Sequence, residues 1–249
     1  MATSGKKKFG KIEFFISDLI GEGSFSSVYK GIYENNIGVA IKRVQLDKIT
    51  SEIEILQENH NHSNIVGYYC SEKDENFMYF LFYFQLFVQL IIQWLRTNYW
   101  TLNQTNQFDK ISKVIKPLTP LIYNGRYITM ELCDGTLTTD GGTLNEKYMK
   151  VGSKQEVIRQ ICEGLRFLHE KRVVHRDLKP SNILISRPVS DRCYIKLADF
   201  DISRKLKTGK NDFTRSTIGK GTFGWTAPEL MTEDESRYTQ AADIFSLGY

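Results

Sequence analysis

Residues 173–201 read VVHRDLKPSNILISRPVSDRCYIKLADFD, and this stretch constrains the chain more than any other. His175, Arg176, Asp177, Lys179 and Asn182 follow the spacing H-R-D-x-x-x-x-N, and Asp199-Phe200-Asp201 closes the stretch. Transfer of a phosphoryl group needs such a set, because the transferring group is strongly anionic. Cations must be held on it, and the acceptor hydroxyl must lie in line with a carboxylate ready to take its proton. Asp177 suits the base. Asn182 and Asp199 offer the oxygen ligands that magnesium, a hard cation, prefers. Lys179 can reach the transferred phosphate. A solvated lysine and a chance tripeptide would explain any one of these residues alone. The ordered set, flanked by strand-like residues 183–185 and 194–197, outweighs that explanation.

The rest of the chain allows a globular domain around this stretch. With 41% hydrophobic and 25% charged residues over 249 positions, a core can be built in one or two domains. The net charge of +4 is small and dispersed, so it gives little support to a nucleic-acid surface, and the Lys6 to Lys8 run reads as solvated. Cys70, Cys133, Cys162 and Cys193 show neither C-x-x-C spacing nor the density of a disulfide scaffold, which points to a reducing compartment. His60 and His62 lack partners at metal-ligand spacing. The N-terminus has basic residues with no apolar stretch behind them, so a secretory signal is not expected.

Residues 12–44 read as strands joined by tight turns, with a turn expected at residues 35–38. Gly21 and Gly23 form a turn that lets backbone amides approach phosphates, though two glycines after a strand are more often only a turn. Val28 follows, then Lys42 in VAIK, at the spacing by which a glycine loop precedes a phosphate-binding lysine. Ser26 stands where a third loop glycine would be. In the helical pattern of residues 51–59, Ile53, Ile55 and Leu56 are apolar, and an acid there can hold Lys42; Glu52 is favoured over Glu54. Residues 153–170 form the clearest helix, with Val157, Ile161, Leu165 and Leu168 on one stripe and Ser153 as N-cap.

Residues 70–77 (CSEKDENF), 130–137 (MELCDGTL), 173–186 and 221–234 (GTFGWTAPELMTED) resemble the kinase domain of the inositol-requiring enzyme family, the unfolded-protein-response kinases and endoribonucleases. Ribonuclease L is the second resemblance, and the match covers residues 15–77 and 126–249. The resemblance implies an α+β, two-lobed kinase-like fold: an N-lobe at residues 1–133 and a partial C-lobe at residues 134–249, with ATP and Mg2+ between them. It places Glu131 and Cys133 at the adenine-binding hinge, Met130 at the gatekeeper position, and Thr214, Ser216 and Thr217 at activation-segment phosphorylation sites. Arg176 would pair with such a phosphate.

It also implies a serine/threonine kinase acting on protein, first on itself in trans as a homodimer, from the cytosolic side of the endoplasmic reticulum membrane. Lys179 and Thr222 resemble serine/threonine rather than tyrosine kinases. The alternative is a nucleotide-binding pseudokinase module regulating an attached endoribonuclease, since the D-F-D of residues 199–201 resembles ribonuclease L where the active branch carries D-F-G. No nuclease chemistry or direct nucleic-acid contact falls on these residues. The chain stops within a C-lobe helix, so the rest of that lobe is expected to be missing.

Residues 78–125 depart from the family. The run at residues 77–95 is 19 residues without a charge, long enough to span about 30 Å of hydrocarbon. It falls inside the N-lobe sheet, however, where a membrane span would separate two halves of one small fold. Residues 97–124 are polar and aperiodic, so the whole segment is read as a lineage-specific insertion or translated non-coding sequence that adds no chemistry.

Overall fold

The computed structural model describes residues 5–23, 26–45, 50–73, 125–138, 145–206, 221–230 and 239–248. The apolar run at residues 77–95, the polar stretch at 97–124 and the hydroxyls of Thr214, Ser216 and Thr217 lie outside the described residues.

Alternating apolar residues build an α+β fold from its first element. β1 (Lys6–Phe9), β2 (Ile12–Glu22), β3 (Ser26–Tyr33), β4 (Ile37–Gln45), β5 (Tyr68–Lys73) and β6 (Gly125–Glu131) pair antiparallel in the order β1-β2-β3-β4-β6-β5. Side chains alternate between faces along a strand. Val39 and Ile41 accordingly join Ile12, Phe14, Tyr29 and Tyr127 in one cluster. Val44, Ile128 and Met130 join a larger core on the other face. Lys42 shares that second face because it lies one residue from Ile41. Two expectations shift here. The Lys6 to Lys8 run forms part of β1, with Lys6 and Lys8 paired to Glu13, and stays exposed. The β3–β4 turn is a 3-10 turn at Glu34–Asn36, so β4 starts at Ile37, and Glu34 takes φ +35.

α1 (Thr50–Asn59) packs Ile53, Ile55 and Leu56 into the larger core. The chain then crosses to the helical part through residues 64–66. Leu197 N donates to Asn64 O at 2.9 Å and Val66 N to Leu197 O at 3.0 Å. Asn64, buried, donates from Nδ2 to Ile195 O at 2.9 Å and to Gln160 Oε1 at 3.1 Å. α2 (Lys154–Glu170) comes this close because Gly164 faces the seam: a Cβ there would sit 2.9 Å from Asn64 O. Its N-cap is Ser153, whose Oγ accepts from Glu156 N at 3.2 Å, and Val157, Ile161, Leu165 and Leu168 bury the opposite stripe. Beyond α2 the chain forms short strands: β8 (Val173–Val174), β9 (Ile183–Ile185), β10 (Ile195–Leu197) and β11 (Arg204–Lys205). β9 sits between β10 and β7 (Gly135–Thr136), and β11 pairs with β8. α3 (Ala241–Gly248) follows. Among the described residues, no helix is long and apolar enough to cross a membrane.

Residues 74–124 lie between two strands that pair with each other. β5 and β6 pair up to Lys73 opposite Arg126, so the chain leaves and rejoins the sheet at adjacent points. Gly125, assigned to the insertion from sequence, already opens β6 opposite Gln45. We expect that replacing residues 74–124 with a turn of about four residues preserves cooperative unfolding. Stability should rise by up to about 2 kcal/mol from the smaller closure entropy, measured by urea denaturation. Loss of soluble, cooperatively folding protein would show that the segment supports the fold.

Candidate active site

One row of paired residues carries the phosphate-side candidates. Gly21 is opposite Val28, Val28 opposite Lys42, and Lys42 opposite Ile128 across four neighbouring strands. Residues directly opposite in antiparallel strands share a face, so the strand pairing puts Gly21, Val28 and Lys42 side by side. Gly23 N donates to Ser26 O at 2.8 Å, which closes the turn, and Ser26 opens β3 opposite Val44.

Lys42 is 4% exposed and its ammonium is fully engaged. Nζ lies 2.8 Å from Glu52 Oε1, 2.8 Å from Asp199 Oδ1 and 2.5 Å from Asp201 Oδ1. Glu52 is buried on the inner face of α1, whereas Glu54 is exposed. Burial alone would favour neutral lysine, but the three carboxylates hold the ammonium well above the usual lysine range. Burial, opposed by Lys42 and reinforced by the charge of Asp201, pushes the Glu52 carboxyl up to about 8. Burial acts on Asp199 in the same sense, but Lys42 outweighs it and keeps the carboxyl below its ordinary value. α1 is tied to the segment after Asp201: Arg204 Nη1 donates to Ser51 Oγ at 2.7 Å, and Lys205 pairs with Glu58 at 2.5 Å.

A second cluster forms around Asp177. Lys179 Nζ lies 2.7 Å from Asp177 Oδ2 and 2.6 Å from Thr222 Oγ1, and that hydroxyl donates to Asp177 Oδ1 at 2.7 Å. Asn182 Nδ2 donates to Asp177 O at 2.8 Å and to Asp177 Oδ2 at 3.0 Å. The amide nitrogen being committed to Asp177, the Asn182 oxygen remains an available acceptor. Together with the Asp199 carboxylate it makes a set of hard oxygen donors, which fits magnesium. Arg176 is expected to pair with a phosphate on the activation segment, whose hydroxyls lie outside the described residues. Arg176 itself is buried, and its Nη1 donates to Ile202 O at 3.2 Å.

The hinge candidates lie apart from both clusters. Glu131 ends β6, its Oε2 lies 2.9 Å from Lys196 Nζ, and Gly67 N donates to the same oxygen at 3.2 Å. Its side chain is thus engaged within the fold. Burial first, and then the charge of Glu131, pushes the Cys133 thiol up to about 12. Met130 is buried beside Ala40 in the next strand.

Sequence reasoning missed Asp243. Its carboxylate is 0% exposed, with Oδ2 accepting from His175 N and Oδ1 from Arg176 N, both at 2.8 Å. His169 Nε2 lies 2.9 Å from Oδ2. The available signal was a lone acid at the third position of the mostly apolar segment AADIFSLG. Thr222, weighed from sequence only as a marker of kinase class, bonds directly to Asp177.

A family profile described as protein tyrosine and serine/threonine kinase matches residues 14–249. The chain is 32% identical to the serine/threonine-protein kinase/endoribonuclease IRE1b of Arabidopsis thaliana, over 97% of this chain and 25% of that protein. It is 30% identical to the serine/threonine-protein kinase/endoribonuclease IRE2 of Homo sapiens, over 96% of this chain and 21% of that protein. It is 29% identical to the sensor for unfolded proteins in the ER ire1 of Schizosaccharomyces pombe, over 93% of this chain and 20% of that protein. The chain therefore spans a fifth to a quarter of the length of these relatives.

Asp243→Ala removes the acceptor of two buried backbone N–H groups, so it should destabilise the protein by about 3 kcal/mol or more in urea denaturation. Asp243→Asn keeps one acceptor oxygen and should cost roughly half as much. Equal stability in all three proteins would show that the carboxylate does not hold the loop.

Proposed function

The chain belongs to the protein tyrosine and serine/threonine kinase family, and we propose that it transfers the γ-phosphoryl group of ATP to serine or threonine hydroxyls of protein. The observation that carries this is the pairing of Asp177 with a hydroxyl and an ammonium: Thr222 Oγ1 on Oδ1 and Lys179 Nζ on Oδ2. A carboxylate already accepting an O–H hydrogen bond is suited to receive the proton of an acceptor hydroxyl. Lys179 would neutralise charge on the transferred phosphate. Lys42, oriented by Glu52, would hold the nucleotide phosphates below Gly21, Gly23 and Val28, with the backbone at Glu131 and Cys133 receiving the base. Asn182 and Asp199 would hold Mg2+, which when bound neutralises the phosphate oxygens. On this reading residues 1–133 are the N-lobe and residues 134–249 belong to the C-lobe.

The relatives named as kinase/endoribonucleases, and the one named as a sensor for unfolded proteins in the ER, support a role in a stress sensor. In that role the chain would face the cytosol, form a homodimer and phosphorylate its own Thr214, Ser216 or Thr217 in trans. The second reading is a nucleotide-binding module that regulates an attached endoribonuclease without phosphorylating. Asp201 bound to Lys42 favours it, because that contact competes with nucleotide phosphates.

Asp177→Asn and Asp199→Asn should separate these functions. The first should lower phosphate transfer by about 10²–10⁴-fold with ATP affinity nearly unchanged, because the base acts in the chemical step. The second should also weaken magnesium-dependent ATP affinity. Transfer is read by mass spectrometry of the activation segment and affinity by calorimetry. ATP binding by the wild-type protein with no transfer to itself or to added substrate would reject the kinase reading and leave the regulatory one.

A further inference from the structure

We infer that Asp201 is an affinity-determining residue, a built-in competitor for Lys42 that makes nucleotide binding conditional on a divalent cation. The inference rests on the reading of Lys42 as the phosphate-binding lysine. An ammonium has three N–H donors and no more. Here each has a carboxylate partner: Glu52 and Asp199 at 2.8 Å and Asp201 at 2.5 Å. A phosphate oxygen arriving at Nζ therefore has no donor until one carboxylate leaves, and it arrives as an anion among three carboxyl groups.

The three contacts do not resist displacement equally. Glu52 has a side chain 2% exposed and is fixed on α1, so its departure would leave a buried carboxyl group without its partner. Asp199 and Asp201 both have side chains 38% exposed, so either can turn towards solvent or towards a cation. Their carboxylate oxygens and one of Glu52 all lie within 4.8 Å of one another. A cation drawing on Asp199 and Asp201 together would take both from the ammonium and free the donor that the phosphate needs. Where the motif carries glycine in place of Asp201, the third donor is open from the start. Nucleotide and cation are thus coupled through Lys42, and each should tighten the other by the same factor.

The test is calorimetric titration of ATP into the wild-type protein, Asp201→Gly and Asp201→Asn, in EDTA and again in Mg2+. In EDTA, Asp201→Gly should bind ATP about tenfold or more tightly than wild type, the change expected when a charge-assisted competitor is removed. Asp201→Asn, which keeps the shape and loses the charge, should fall between them. In Mg2+ the three proteins should converge, so the dependence on the cation shrinks in the order wild type, Asn, Gly. Equal EDTA affinities across the three overturn the proposal. So does weaker binding by the variants in Mg2+, which would make Asp201 a required ligand instead of a competitor. If no protein of the set binds ATP under either condition while Mg2+ alone still binds, the nucleotide reading of Lys42 fails and this inference falls with it. Should Asp201→Gly not fold, the Asn variant carries the same comparison.

Discussion

The loop bearing Asp177 depends on one buried carboxylate. Arg176 adopts φ +72, a left-handed conformation that costs a non-glycine residue about 1 kcal/mol or more. The backbone N–H groups of His175 and Arg176 both point inward, away from water, at that bend. Asp243 accepts both at 2.8 Å and offsets the strain while satisfying two donors that would otherwise be unpaired. Ser203 Oγ donates to His175 O at 2.9 Å, and His175 Nε2 lies 3.1 Å from Ala198 O. The loop is thereby attached on one side to α3 and on the other to the segment around Asp199. A change in either partner reaches the loop through single side-chain-to-backbone hydrogen bonds next to Asp177.

The sheet and the helical part share one apolar core, and buried polar pairing fixes their register. Asn64 bonds to both Gln160 on α2 and the backbone of β10, while Ile65 and Val66 pair with Leu197 as a short parallel bridge. β10 leads within two residues to Asp199. The spacing between α1, which presents Glu52, and the strand that delivers Asp199 is therefore set by buried hydrogen bonds of fixed length. This explains how two acids 147 positions apart in sequence meet on the same ammonium.

Local patterns were legible in the sequence because they are set by short-range rules. The stripe and N-cap of α2, the alternation in β3 and β4, and the order of Lys42, Asp177, Asn182 and Asp199 all follow from spacing. The long-range polar contacts were not legible. Asp243 and Asn64 each lie in segments with no motif of their own, and their importance comes from partners about 70 and 131 residues away. Arg176 is marked by its place in a motif, but its contact with Ile202 O is another that spacing alone does not give. Residues 78–125 stand out from their neighbours by composition, but the point where β6 begins does not. Gly125 pairs in β6 although nothing in its side chain marks a strand.

The two clusters differ in how much they already resemble a working state. Around Asp177 the Thr222 hydroxyl sits on one carboxylate oxygen and the Lys179 ammonium on the other, an arrangement that suits the proposed transfer. Around Lys42 the same kinds of groups satisfy one another, and Asp201 completes that closure. On the proposed reading, the transfer residues and the restraint on nucleotide entry sit on separate elements, the loop after β8 and the turn after β10. The two elements are tied to each other by Arg176 on Ile202 O and by Ser203 on His175 O. The Asp201 carboxylate itself bonds to Lys42, so on that reading its restraint acts on nucleotide entry, before the chemical step.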